Sequence, residues 1–333
     1  MRRFPAEWES HAATWIFWPR GADRYLYGSV ADYREVRDAF VRLIDVLAAL
    51  EPAVELGVDP SREEEARAEV GGRARVHALP LDDAWARDTG PSFVVEGEDP
   101  PGLVGVCWSF NGWGQRFAPW ERDAAVGRAV ARLAGARAEE SPLAWEGGAV
   151  ATDGTGRLLT TAPVLEDPGR LGGRSAEETA TALQGSLGGR KLLVLPEGME
   201  GDDTGGHVDQ VAAWAPTGVV LVPEAIDLAG EARRRALANE AYLRERGVET
   251  VGLPAPDPVL HRGEPLAASY LNFYPVNAGL LVPAFGQPGS DERARAILGE
   301  HFPDREIIGM ESRPFLLGGG GLHCLTQPQP AVG

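Results

Sequence analysis

Cysteine is nearly absent from this chain, with two residues, Cys107 and Cys324, in 333. They lie far apart and form no CxxC pair, which excludes a disulfide framework and a thiolate zinc cage and fits a reducing compartment. Histidine is scarce too, at six residues, and only His207 and Asp209 fall at close metal-ligand spacing, so no metal and no other cofactor is expected. Long apolar runs are missing. No window approaches the roughly 18 consecutive apolar residues of a membrane span, and Met1-Arg2-Arg3 runs into Phe4-Pro5-Ala6-Glu7-Trp8-Glu9 without an apolar leader. The expectation is a cytoplasmic protein with no membrane partner. Basic excess is absent as well: 32 Lys and Arg stand against 49 Asp and Glu, a formal net charge of -17, which argues against a nucleic-acid partner and favours cations.

What is present is ample core material, 44% hydrophobic and 24% charged residues, which makes the chain globular. No linker divides it, Pro and Gly are spread throughout, and residues 1–333 read as one domain; a homo-oligomer is left open. Helical periodicity is clearest in Ala31–Leu50, where Val36, Phe40, Leu43, Leu47 and Leu50 share a face. Five further helices start near Ser61, Pro119, Ser175, Glu231 and Ser290, at spacings of 58, 56, 56 and 59 residues. Ser61 with Glu64 and Ser175 with Glu178 have the form of capping boxes. Apolar strand-like segments follow the helices, most clearly at Arg75–Leu79, Lys191–Leu195 and Arg305–Gly309. Regular spacing of this kind suggests an internal αβ repeat, with the helix at Ala31 as an extra element. Repeats around an axis bring equivalent positions together, here Asp88, Glu146, His207, Asn272 and Cys324.

The run Gly318-Gly319-Gly320-Gly321-Leu322-His323-Cys324 places a thiol directly beyond backbone that lets a ligand come close, which makes Cys324 a candidate nucleophile. Cys107 sits in an apolar run and reads as a buried core residue. A thiolate needs a proton-exchanging partner. Taking Cys324's segment as extended, its neighbour His323 points to the opposite face and is set aside. His207 remains, in Asp202-Asp203-Thr204-Gly205-Gly206-His207-Val208-Asp209, with Asp209 two residues on. Asp88 in Trp85-Ala86-Arg87-Asp88-Thr89-Gly90-Pro91 and Glu146 in Trp145-Glu146-Gly147-Gly148 add carboxylates beside turn residues. Three carboxylates near one thiol match a planar guanidinium with its five N–H donors.

Jointly these motifs make the chain resemble the agmatine deiminase family, within the guanidino-group modifying superfamily that also holds arginine deiminases and bacterial peptidylarginine deiminases. The likeness runs from Pro5–His11 and Trp15–Pro19 through Trp85–Pro91, Asn111–Gly114, Glu146–Gly148 and Gly206–Asp209 to Asn272–Asn277 and the segment ending at Cys324. The sequence departs from the family pattern at Gly205, Gly321, Pro328 and after Thr160-Thr161. The resemblance implies an α/β fold, a five-bladed αβ propeller of pseudo-fivefold repeats around a central pocket. It implies Cys324 as nucleophile, His207 as general acid/base, and Asp88, Glu146 and Asp209 as guanidinium-binding carboxylates. Hydrolysis of agmatine to N-carbamoylputrescine and ammonia through a covalent thiouronium is the implied reaction.

The expected partner is thus a small cationic guanidino substrate. Trp85, Trp113 and Asp202 are the candidates for holding the amine end of such a substrate. No Arg is placed by the motifs to meet the carboxylate of free arginine, which favours agmatine over arginine or peptidyl arginine. Two other readings stand beside this one. A metal-dependent amidinohydrolase would need more His and Asp in ligand spacing. A non-catalytic guanidinium or polyamine binder would keep the carboxylates without needing Cys324.

Overall fold

The computed structural model describes residues 1–21, 29–98 and 100–332. It is a mixed α/β fold in which, among the described residues, five sheets of three or four strands follow one construction rule. A strand pairs antiparallel with its successor, the chain crosses over through a helix, and it returns as a third strand parallel to the second. Ala151–Thr152, Arg157–Thr161, the helix Ala176–Leu187 and Lys191–Leu195 make one such unit. Ala213–Trp214, Val220–Pro223, Gly230–Glu245 and Thr250–Leu253 make the next. Tyr274–Val276, Gly279–Ala284, Pro288–His301 and Glu306–Glu311 make another. Ser92–Glu96, Gly102–Cys107, Asp123–Leu133 and Arg137–Glu140 obey the same rule, with Arg2–Arg3 added at the edge.

The fifth unit joins the two ends of the chain. Thr326–Pro330 pairs antiparallel with His11–Phe17, and the helix Val30–Leu50 leads to the parallel strand Val54–Val58. A further helix, Glu63–Val70, adds Arg75–Ala78 at that edge. The expected repeat count is corrected here. The helix at Ala31, set aside as extra, is the crossover of the fifth unit, and the helix counted from Ser61 is the addition. A unit whose first strand comes from the far end of the chain leaves no linear period to count.

Local signals explain most of the helices. Val36, Phe40, Leu43 and Leu47 are fully buried in the core, each contributing about 1.5–3 kcal/mol over an exposed position, and Leu50 is half-buried. Ser175 and Glu178 form the expected capping box, each side chain meeting the other's backbone N–H. Ser61 and Glu64 do not: the Asp59 carboxylate caps the Ser61 N–H instead, and Pro60–Arg62 is a 3-10 turn ahead of the helix. No helix among the described residues is long and apolar enough to cross a membrane.

The connection into the first strand of each unit positions the chemistry. These connections include the turns Ala86–Thr89, Gly147–Ala149, Val208–Gln210 and Leu322–Leu325, together with the loop at Asn272. Ala86–Thr89 packs against both Gly147–Ala149 and Leu322–Leu325, and Gly147–Ala149 packs against Val208–Gln210. Segments more than 200 residues apart in sequence therefore meet at one place.

Candidate active site

A cavity of about 360 Å³ opens over the packed turns. Its lining includes Cys324, four aspartates (Asp83, Asp88, Asp123 and Asp203) and five aromatic residues, Trp85 and Trp113 among them. No Lys, Arg or His belongs to that lining among the described residues, so the site is built for a cation with apolar surface.

Cys324 lies on a single helical turn and is 5% exposed. Its thiol points at Asp209 Oδ2, 3.6 Å away, and receives the Asn272 Nδ2 amide at 3.4 Å. Asn272 Oδ1 accepts the His323 backbone N–H at 3.0 Å, which fixes the amide so that its NH2 group faces the sulfur. Gln210 Nε2 approaches the sulfur more distantly, at 3.8 Å. Burial first, then Asp209 and Asp88, push the thiol well above its ordinary range, which favours the protonated form.

His207 is 1% exposed, with Nε2 at 3.4 Å from Glu146 Oε2 and Nδ1 at 3.8 Å from Asp88 Oδ1. Burial opposes its charge, but Asp88, Glu146 and Asp209 outweigh it and raise the imidazole to about 9. Asp88 Oδ2 accepts Trp113 Nε1 at 2.8 Å and Oδ1 accepts the Gly148 N–H at 3.0 Å. Burial raises Asp88 above the ordinary carboxylate range despite His207, a condition that a bound cation would reverse. Glycine at 148 leaves room for these groups. A Cβ there would lie 2.7 Å from His207 Nδ1, 2.9 Å from Asp88 Oδ1 and 3.0 Å from Asp209 Oδ2, so its absence lets the three charged groups converge.

Behind these groups runs an ionic chain, buried except at the half-buried Glu7. Arg87 Nη1 donates to Glu7 Oε1 at 2.6 Å, Glu7 Oε1 meets His323 Nε2 at 3.0 Å, and His323 Nδ1 meets Asp209 Oδ2 at 2.9 Å. Burial would raise Glu7, but Arg87 and His323 hold it at about 2. His323 is raised in turn: burial and Arg87 oppose its charge, and Glu7 and Asp209 prevail. Asp209 Oδ1 is buried without a hydrogen-bond partner among the described residues, a free acceptor beside Cys324.

Residues 3–330 match the family described as Porphyromonas-type peptidyl-arginine deiminase. The chain belongs to that family. It is 34% identical to the agmatine deiminase of Pseudomonas aeruginosa over 359 residues, covering 99% of this chain and 95% of that one. The agmatine deiminase of Stutzerimonas stutzeri is likewise 34% identical, over 98% of this chain and 95% of its own. Among solved structures, the agmatine deiminase of Enterococcus faecalis superposes with a TM-score of 0.91 at 27% identity, covering 100% of this chain and 96% of that chain.

In this member of the peptidyl-arginine deiminase family, the candidate residues divide into two groups. Cys324, Asp88, Trp85 and Trp113 line the cavity, while His207, Asp209 and Glu146 stand directly behind its wall. Glu146 differs from its expected part as a guanidinium ligand. It is fully buried, and its two oxygens accept Arg170 Nε at 3.1 and 2.9 Å while Oε2 also faces His207. Burial alone would raise Glu146; Arg170 and then His207 hold it below the ordinary carboxylate range.

Asp202 differs as well, because its neighbour Asp203 lines the cavity. The Asp202 carboxylate instead accepts the backbone N–H groups of Thr204, Gly206 and His207 at 3.0, 2.8 and 2.9 Å, and so shapes the loop that seats the histidine. His323 was set aside for lying on the far side of an extended segment. The segment is a helical turn, where successive side chains step by about 100° rather than alternate, and His323 reaches Asp209. Glu7 was legible only as part of the Pro5–His11 motif. Arg170 and Gln210 carried no sequence signal.

Proposed function

We propose that this chain hydrolyses a small guanidinium compound, agmatine to N-carbamoylputrescine and ammonia, with Cys324 as nucleophile. The observation that carries the reading is the approach of the Cys324 thiol to the Asp209 carboxylate at 3.6 Å, beside a cavity lined by aspartates and aromatic rings. The guanidinium N–H groups pair with Asp88 and the free Oδ1 of Asp209, so desolvated charges meet charge-assisted hydrogen bonds. The arriving cation also offsets the carboxylates that hold the thiol protonated, and Asp209 Oδ2 takes the proton. Sulfur then forms a bond to the guanidinium carbon. His207 delivers its proton to the departing nitrogen, the C–N bond breaks, and ammonia leaves a thiouronium on Cys324. The neutral His207 next draws a proton from water. The resulting hydroxide adds to the carbon and the C–S bond breaks; Asp209 returns its proton to the sulfur, and the hydroxyl proton of the adduct passes to solvent, where ammonia takes it up, as the neutral ureido product departs.

Agmatine is favoured over free arginine because the cavity offers no basic side chain for a carboxylate among the described residues. Asp203, Trp85 and Trp113 supply a carboxylate and aromatic faces for an ammonium instead. The full-length likeness to the agmatine deiminases of Pseudomonas and Stutzerimonas supports the same substrate. The reading extends to the fold: residues 1–333 form one domain, a five-bladed αβ propeller with its pocket on the axis. Five sheets built by one rule, with their entry turns in mutual contact, support it. Two free thiols fit a reducing cytoplasm.

The test is a panel of agmatine, arginine, peptidyl arginine and longer guanidino amines, read by ammonia release and by the mass gain of about one unit as =NH becomes =O. Cys324→Ala should release no ammonia yet still bind the guanidino amine. Full turnover in that variant ends the proposal, and turnover of arginine in preference to agmatine ends its choice of substrate.

A further inference from the structure

Arg170 lies outside the cavity, yet it touches both Glu146, which faces His207, and the loop that carries His207. Its side chain is 1% exposed. Nε donates to both oxygens of Glu146, whose Oε2 faces His207 Nε2 at 3.4 Å. Nη1 donates to Asp167 Oδ2 at 2.7 Å, and Nη2 to the Thr204 carbonyl at 2.7 Å. Thr204 in turn binds the Asp202 carboxylate through its N–H and hydroxyl, and Asp202 accepts the His207 N–H. One guanidinium therefore holds the imidazole's carboxylate partner and the backbone loop on which the imidazole is mounted.

From this geometry we infer that Arg170 is a positioning residue for the reaction: it orients and charges Glu146, and through Glu146 and the Thr204 loop it fixes His207 for proton delivery. The inference rests on the reading of His207 as general acid. A planar fork with donors in three directions suits the task, and a lysine ammonium on a flexible stem does not reproduce it. The charged groups facing His207 are Asp88, Glu146 and Asp209, and Arg170 is the cation on Glu146. Removing that cation from a fully buried carboxylate favours its neutral form, and a neutral Glu146 no longer supports the charge on His207. The effect of Arg170 on the reaction therefore passes through the histidine's proton.

The experiment uses the full chain and follows ammonia release from agmatine across pH, with thermal melts as the folding control. Arg170→Gln should lower kcat and move the alkaline limb of its pH profile down by about one unit. Glu146→Gln should move it equally, and the double variant no further. Arg170→Lys keeps the charge but loses the fork; its limb should stay near that of the wild type while kcat falls at least about tenfold and KM stays within about twofold. A folded Arg170→Gln variant with an unmoved limb overturns the inference. If Arg170→Gln does not fold, Arg170→Lys decides, and a rise in KM at unchanged kcat overturns it. A wild-type chain inactive on every guanidino compound instead fails the functional reading itself.

Discussion

His323 Nδ1 lies 2.9 Å from Asp209 Oδ2, the same oxygen that faces the Cys324 thiol. The residue next to Cys324 in sequence thus holds the carboxylate beside the thiol, and leaves the other oxygen, Oδ1, without a hydrogen-bond partner among the described residues. Glu7 and Arg87 continue the chain behind His323.

That chain links stability to pH. Glu7 titrates at about 2 in the folded protein against about 4.3 in an unfolded chain. A depressed carboxyl stabilises fully above the unfolded value, and its contribution is lost as pH falls through the folded one. Glu7→Gln should therefore cost roughly 3 kcal/mol near neutral pH and about half of that near pH 3. Urea denaturation at the two pH values checks this, and an equal cost at both contradicts the ionic account.

The protonated thiol has a measurable consequence. In a Cys107→Ser background, inactivation by iodoacetamide should be slow at neutral pH and still accelerating at about pH 9, because only the thiolate reacts. A chelator should leave turnover unchanged. A rate that levels off below pH 8 contradicts a thiol raised by burial and its carboxylate neighbours.

Gly148→Ala should stay folded, losing about 1–3 kcal/mol, while kcat falls about 100-fold as His207, Asp88 and Asp209 are pushed apart. Melting temperature and kcat measured together separate the two effects. Wild-type kcat in this variant refutes the convergence of the three groups at that position.

Asp202 and Asp203 are adjacent but should behave differently. Asp203→Asn should raise KM for an amine-ended guanidine about tenfold with little change in kcat, since it removes a cavity carboxylate. Asp202→Ala should chiefly lower kcat, because the His207 loop loses its acceptor for three backbone N–H groups. Steady-state kinetics of the pair decides, and interchanged effects would restore Asp202 as the ligand.

The sequence by itself determined a good deal. Helical periodicity in Ala31–Leu50 and the capping box at Ser175 follow from interactions a few residues apart, so they are readable locally. The motif residues Cys324, His207, Asp209 and Asp88 stand out jointly, through the order of motifs that resembles the agmatine deiminase family, because an Asp beside glycine or proline is by itself ordinary turn chemistry. Tertiary structure decided their geometry and partners. Whether Glu146 faces a ligand or Arg170, and whether Asp202 or Asp203 meets the cavity, depends on neighbours more than 20 residues away or on the direction of one turn. The reach of His323 to Asp209 is not legible because the strand-like and helical placements of a four-residue segment differ only in dihedrals that packing selects. The repeat was miscounted because its fifth unit closes through Thr326–Pro330 and His11–Phe17, a pairing of chain ends that no local pattern encodes.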